Sequence, residues 1–450
     1  MKFLKYPLSF LVFSLSACNV TPDFVKPTVE IPATWRDANQ SATQTTVDPK
    51  WWQTFGSPKL NQLILQAIAY NNDLAAAGQR VEQAKAQAKI AGANLFPQLG
   101  IQGNTAHNVD ETGEIGKQNM NFTIAYEVDL WGKNRAAKNA GENRLLSEVF
   151  ARDALQLVVM SNVSQAYFNL LALNERKHIA TDFLKNVTDV LTIIEARFNA
   201  GAVSELDVVQ QKTELANARA SLDLLNQHYA LAENALAILL GKPPQATKNT
   251  EPFLTVQMPK FDLLQPANLL ERRPDIRQIE MELLAANADI GIARAAFYPK
   301  LQLNLDTILA SPQPAGIAAS LAAGLVQPIF QGGRLDGNLE YANARQAELV
   351  ETYRKTVLTA FKEVEDAAAI RTNSDRRLKM LSEAVNNAEQ SYQLSLQRYR
   401  LGLIDYQVLL NTQRSLLNAE NSKVQARLDV LIALVQIYQA LGGGFYFKSF

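Results

Sequence analysis

The sequence of this chain carries one pattern twice, and that duplication constrains its fold more than any other feature. Shifted by 202 positions, residues 73–101 lie over 275–303 without a gap, and eight of the 29 positions are identical, among them Asp73/Asp275, Ile90/Ile292, Pro97/Pro299 and Leu99/Leu301. Shifted by 201, "RFNAGAVSELDVV" (197–209) lies over "RYRLGLIDYQVLL" (398–410), a register that holds through Leu240-Gly241 over Leu441-Gly442. Self-similarity at a fixed period marks copies of one structural unit. The expected organisation is an N-terminal segment at 18–57, a first repeat at 58–241, a Pro- and Thr-rich linker at 242–261, a second repeat at 262–442 and a tail at 443–450.

Within each repeat the periodicity changes in the same order. A helix-like, alanine-rich stretch comes first, at 58–95 and again at 266–297. At Pro97 and Pro299 the pattern switches to period two, the mark of a strand with unlike faces. Leu99 and Ile101 alternate with Gln98 and Gln102, then Phe122, Ile124, Tyr126 and Val128 with Asn121, Thr123 and Glu127. In the second copy Leu301, Leu303 and Leu305 alternate with Gln302, Asn304 and Asp306, while "SLAAGLVQPIF" alternates less cleanly. These runs predict hairpins at about 97–130 and 299–330, with turn-rich tips at 108–118 and 311–316.

Such alternation fits an ordinary half-buried sheet, but two details favour a membrane barrel. The polar positions are Gln, Asn, Asp and Glu, suited to a wet lumen. Each hairpin also starts and ends on aromatics, Phe96 and Trp131, then Tyr298 and Phe330. A hairpin returns to the side it left, so the four should form one rim at a membrane interface. Four strands cannot close a barrel, for which about eight is the minimum. Strands must therefore be pooled between copies, two chains giving eight and three giving twelve.

Long helices should follow each hairpin. Leu184, Val187, Leu191, Ile194 and Phe198 recur at spacings of three and four, as in a coiled-coil seam. Unbroken from Trp131 to Phe198, such a helix is about 100 Å long, and its partner at 205–240 about 50 Å. One long helix beside two short ones, with Gln-, Asn- and Ser-rich faces left over, fits a packed helical cylinder lining a channel.

The single cysteine, Cys18, excludes an intrachain disulfide. It follows a basic start and a short apolar run, so residues 1–17 read as a secretory signal. "LSAC" resembles a bacterial lipobox, which implies acylation of Cys18 and anchoring to outer-membrane lipid, with Asn19 in place of the inner-membrane retention aspartate. Beyond it no apolar run reaches about 18 residues, so strands must do any spanning. The 44 basic and 44 acidic residues cancel, leaving no field to recruit nucleic acid. No phosphate-binding, hydrolase or zinc-protease motif occurs, and His107, His178 and His228 lie in separate elements. Neither enzyme, metal nor cofactor is expected.

The stretches "WWQTFGSPKLNQLI" (51–64), "YEVDLWGKNR" (126–135), "RRPDIRQIEMELLAANADIGIARAAFYPKLQL" (272–303), "QPIFQGGR" (327–334) and the two Arg-aromatic-x-x-Gly tips resemble the outer-membrane factor family, the TolC-like ducts. The resemblance is nearest to the lipoprotein branch serving resistance-nodulation-division pumps. It implies an α+β membrane protein: a homotrimer with a twelve-stranded outer-membrane barrel, four strands per chain, continuous with a periplasmic helical barrel. It also implies partners, a periplasmic adaptor (membrane fusion protein) and the inner-membrane pump, and passive export of small molecules. Arg197, Gly201, Val203, Ser204, Gly402, Leu403 and Ile404 match the adaptor-docking tips. Asp207, Tyr399, Arg398, Asp405, Gln407 and Asn411 match the periplasmic gate. Ile404 stands where some members carry an arginine, and Val408 and Asn411 where others carry acidic rings, so Asp207 and Asp405 are the nearby carboxylates. A protein-secretion duct shares the fold, and a lipid-anchored coiled-coil scaffold would explain the helices and Cys18 without the paired hairpins.

Overall fold

In the computed structural model the described residues are 19–36, 47–110, 113–245, 251–259, 269–311 and 316–445. Cys18, the signal segment and parts of the linker and tail lie outside them. The elements run α1 (Pro58–Tyr70), α2 (Asn72–Gly92), β1 (Gln98–Asp110), β2 (Gly113–Val128), α3 (Lys133–Asn199) and α4 (Glu205–Leu239), then the short α5 (Leu269–Arg272), α6 (Pro274–Ala295), β3 (Lys300–Ser311), β4 (Gly316–Val326), α7 (Arg334–Arg400) and α8 (Tyr406–Ala440). The two long helices are 67 residues each and the two that follow them 35 each, so the duplication is kept to the residue. No helix among the described residues is long and apolar enough to cross a membrane.

The chain divides into two compact units that are not the two repeats. One gathers residues 1–29, 77–152 and 275–356, and the other 30–76, 153–274 and 357–450, so each draws on both copies.

The first unit holds an antiparallel sheet in the order β1-β2-β3-β4. Residues directly opposite in such a ladder share a face. Leu99 pairs with Ile124, which pairs with Leu305 and then Leu321; Tyr126, Leu303 and Ala323 align likewise, as do Val128, Leu301 and Leu325. The opposite face carries Gln98, Ala125, Asn304 and Ala322, then Thr123, Asp306 and Ser320, then Glu127, Gln302 and Gly324. One face is thus apolar and the other polar or small across all four strands. The weak alternation of the fourth strand has a plain cause: alanine stands on both faces, Ala319 and Ala323 on the apolar one and Ala322 on the other, which mutes the contrast. The first hairpin is tighter than the turn-rich 108–118 suggested, since pairing continues to Asp110↔Gly113.

Where the sequence pattern ran unbroken over 58–95, the structure breaks at Asn71. The Asn71 carboxamide oxygen accepts from the backbone N–H of Asp73 and Leu74 (3.0 and 3.1 Å), capping α2, while its own N–H closes α1 on Ala67. Its side-chain amide donates 2.9 Å to the Leu239 carbonyl at the end of α4, so one buried residue finishes three helix ends. The matching break at Arg273 precedes Pro274, whose ring disfavours a helical residue before it.

In the second unit, Trp51 stacks on Tyr438 at 5.1 Å and Phe55 tilts against Phe168 at 5.0 Å, forming an aromatic core. Within the segment between repeats, 251–259 packs closely: Phe253 and Val256 are buried, and the Gln257 N–H donates to the Phe55 carbonyl.

Helices α4 and α8 run into left-handed glycines, Gly241 (φ 65°) and Gly442 (φ 83°). A Cβ at Gly241 would lie 2.0 Å from the Tyr70 carbonyl oxygen, whereas one at Gly201 (φ 71°) would meet nothing within 4 Å. Gly201→Ala should therefore cost only the left-handed strain, about 1–2 kcal/mol. Gly241→Ala adds a backbone clash and should cost about 3 kcal/mol or more; thermal unfolding of the two variants checks the order.

Candidate functional site

The turns between α3 and α4 and between α7 and α8 are built alike. Gly201 and Gly402 (φ 71° and 75°) end the long helices. Ala202 N–H donates to the Arg197 carbonyl and Gly201 N–H to the Phe198 carbonyl; Leu403 and Gly402 do the same to Arg398 and Tyr399, all at 2.8–2.9 Å. This paired bonding is the left-handed C-cap that only glycine adopts without strain.

The next helices start differently. Ser204 and Asp207 form a reciprocal capping box on α4, with both bonds at 3.4 Å. Asp405 precedes α8 without a side-chain cap, and Val408 stands where Asp207 does in the first copy. Asp207 is thus engaged at its own helix start, a role that the S-x-x-D spacing could have revealed.

Beneath the turns lies a cluster of Val190, Ile194, Val208, Tyr392, Tyr399, Tyr406, Leu409, Leu410 and Leu416, with Val203 and Ile404 packed on it. Tyr399, 1% exposed, lies at 6.3 Å edge-on to Tyr406. The Arg197 guanidinium sits 4.8 Å above the Tyr399 ring and donates 2.5 Å to its backbone carbonyl. Burial raises the Tyr399 hydroxyl pKa, with Arg197 opposing and Asp207 adding, so Asp207 is near without hydrogen-bonding to it. Deeper in, Tyr406 donates 2.5 Å to the Gln211 oxygen, and Gln211 donates 2.7 Å to the Val187 carbonyl. Arg414 grips Glu214 through Nε (3.1 Å) and a terminal nitrogen.

The structure therefore sorts the residues singled out at the tips. Arg197, Val203, Ile404 and Tyr399 face the cluster. Gly201, Ser204, Arg398, Gly402, Leu403, Asp405, Gln407 and Asn411 are exposed, with Gln407 and Asn411 joined at 3.3 Å along α8. Gln211, Glu214, Tyr406 and Arg414 went unnoticed in the sequence because their partners lie about 200 residues away. In the first unit, Trp131 stacks on Tyr298 at 4.6 Å and donates 2.8 Å to the Pro299 carbonyl, while Phe96 and Phe330 are exposed. No cluster of His, Cys, Asp and Glu able to hold a metal occurs among the described residues.

A family model described as outer membrane efflux protein matches the chain twice, over residues 63–242 and 266–443. The chain belongs to that family. The pyoverdine export outer membrane protein OpmQ of Pseudomonas aeruginosa is 36% identical, over 96% of this chain and 94% of its own length. The toluene efflux pump outer membrane protein TtgI of Pseudomonas putida is 33% identical, over 99% of both. The open state of the Neisseria gonorrhoeae MtrE outer membrane channel is similar in structure, with TM-score 0.86 and 28% identity over 95% of this chain and 99% of that one. The fold is that of the TolC-like channels, and the chain is an outer-membrane component of an efflux system.

Two expectations follow for this efflux protein. Tyr406→Phe leaves the buried Gln211 oxygen without its donor and should cost about 1–3 kcal/mol in thermal unfolding. Glu420, in α8, is held up to about 7 by burial first, then by the charges of Glu389, Asp182 and Glu175, against Lys423. The folded state holds that proton more tightly than the unfolded chain. Stability from this site is full below about pH 4.5 and is lost as pH rises through about 7. Glu420→Gln should raise the Tm at pH 8 and leave it nearly unchanged at pH 4.5.

Proposed function

We propose that three copies of this chain close a twelve-stranded barrel in the bacterial outer membrane and continue beneath it as a periplasmic helical duct. Through that duct an inner-membrane resistance-nodulation-division pump and its adaptor export small molecules. One observation carries the reading: a four-stranded sheet, apolar on one face and polar on the other, whose outer strands β1 and β4 each have a single neighbour among the described residues. Leu99 and Leu321, each 79% exposed, would face lipid, and Gln102, Asn304 and Asp306 the lumen. Closure with identical copies pairs the two edges and hides their backbone groups from lipid.

Placement supports the lipid anchor. Asn19, next to Cys18, lies against Gly132, beside Trp131 of the aromatic rim, so acyl chains at Cys18 would start at the level of the interface. The names of the relatives, covering pyoverdine and toluene, favour small organic cargo. The exposed turns around Gly201 and Gly402 offer the adaptor a surface, and at the gate Arg197 with Tyr399 latches α3 to α7, beside Asp207.

Reconstituted in a planar bilayer, the mature protein should give discrete conductance steps; a silent bilayer would end the channel reading. Arg197→Met removes the guanidinium that stacks on Tyr399 and donates to its carbonyl, while keeping the ring in its cluster. Loss of a contact of about 1 kcal/mol should raise the open-to-closed ratio about fivefold. An unchanged ratio would take that contact out of the gate.

A further inference from the structure

The Arg197–Tyr399 contact joins the first repeat of the chain to the second. Duplication supplies each partner with a counterpart: the 201 shift carries Arg197 onto Arg398, and Tyr399 back onto Phe198. Both counterparts stand idle. Arg398 is exposed, and no hydrogen bond, ion pair or ring contact of its side chain occurs among the described residues. Phe198 is 42% exposed, although large and apolar, and is next to last in its helix.

Their settings are duplicated as well. Each arginine stands four residues before a left-handed glycine, and each aromatic three before it. The Tyr399 carbonyl accepts from both Gly402 and Arg197, which uses its two lone pairs. Among the described residues the Phe198 carbonyl accepts from Gly201 alone, so one lone pair is left over at the matching point. A phenylalanine face offers a guanidinium the same quadrupole as tyrosine, and the planar fork can stack and donate at once.

We propose that Arg398 stacks on Phe198 of the adjacent copy and donates to its backbone carbonyl. The proposal rests on the ring reading above. Around a closed ring the repeats alternate, so the second repeat of one chain meets the first of the next. The contact seen inside the chain is then repeated between chains, and the mouth carries two sets of arginine–aromatic clasps. The partner is a second copy of this chain.

Cross-linking with a short bis-maleimide tests it on the full chain in detergent, its mass measured in parallel. The pair Arg398→Cys with Phe198→Cys places thiols at two exposed positions, so folding is not at risk. The pair Glu195→Cys with Lys212→Cys, whose side chains meet at 3.1 Å on the surface, calibrates the linker's reach within one chain. The unsubstituted chain, carrying Cys18 alone, and each single variant set the background. The expected result is a denaturing-gel ladder to trimer for Arg398/Phe198, with a yield at least tenfold above either single variant, and an internal link without a ladder for Glu195/Lys212. A trimer by mass that gives the internal link but no ladder overturns the proposal and leaves the ring standing. A monomer by mass overturns the ring reading and the proposal with it.

Discussion

Four strands cannot hide their own edges, and much else in this chain answers that shortfall. The sheet has a dry face, a wet face and two strands with one neighbour each. In hydrocarbon, unpaired backbone groups cost several kcal/mol apiece, so an open sheet of this kind has no stable place in a membrane as a monomer. On the ring reading proposed above, identical copies supply the missing neighbours, β4 of one to β1 of the next. The duplicated sequence then means that a ring of few chains contains twice as many equivalent positions.

Geometry is shared between the repeats more strictly than chemistry. Helices of 67 and 35 residues recur, and left-handed caps fall at 201 and 402, then 241 and 442. Such caps depend on a glycine and on backbone bonding, so side chains around them are free to drift. They have drifted most at the tips. Asp207 closes a capping box in one copy where Val408 stands in the other, and buried Gln211 corresponds to Thr412. A duct built only of repeats would be twofold redundant at its mouth; these differences make its two helix turns chemically unlike.

Much of this was legible in the sequence. The period-two runs locate the strands because each has one apolar face, and the register confirms that Leu99, Ile124, Leu305 and Leu321 share it. Glycines at 201 and 402 mark the tips because few other residues tolerate that backbone conformation. What escaped was set by contacts distant in sequence. The break at Asn71 depends on a side chain that caps two helices and reaches Leu239, and periodicity sees neither. The tip cluster depends on Arg197 meeting Tyr399 and Gln211 meeting Tyr406, pairs that no local spacing predicts.

The polar content of that cluster bears on gating. A mouth closed by aliphatic packing alone would gain from every contact and lose on every opening. Here the Tyr399 hydroxyl is buried without a hydrogen-bond partner among the described residues. Such an atom offsets part of the packing, by about 1–3 kcal/mol, and recovers it when water reaches it. On the gating reading proposed above, the shut state is therefore held by its arginine–aromatic and glutamine–tyrosine contacts against an internal debt. On the same reading a docked partner need supply only the small difference, because marginal elements are the ones that move.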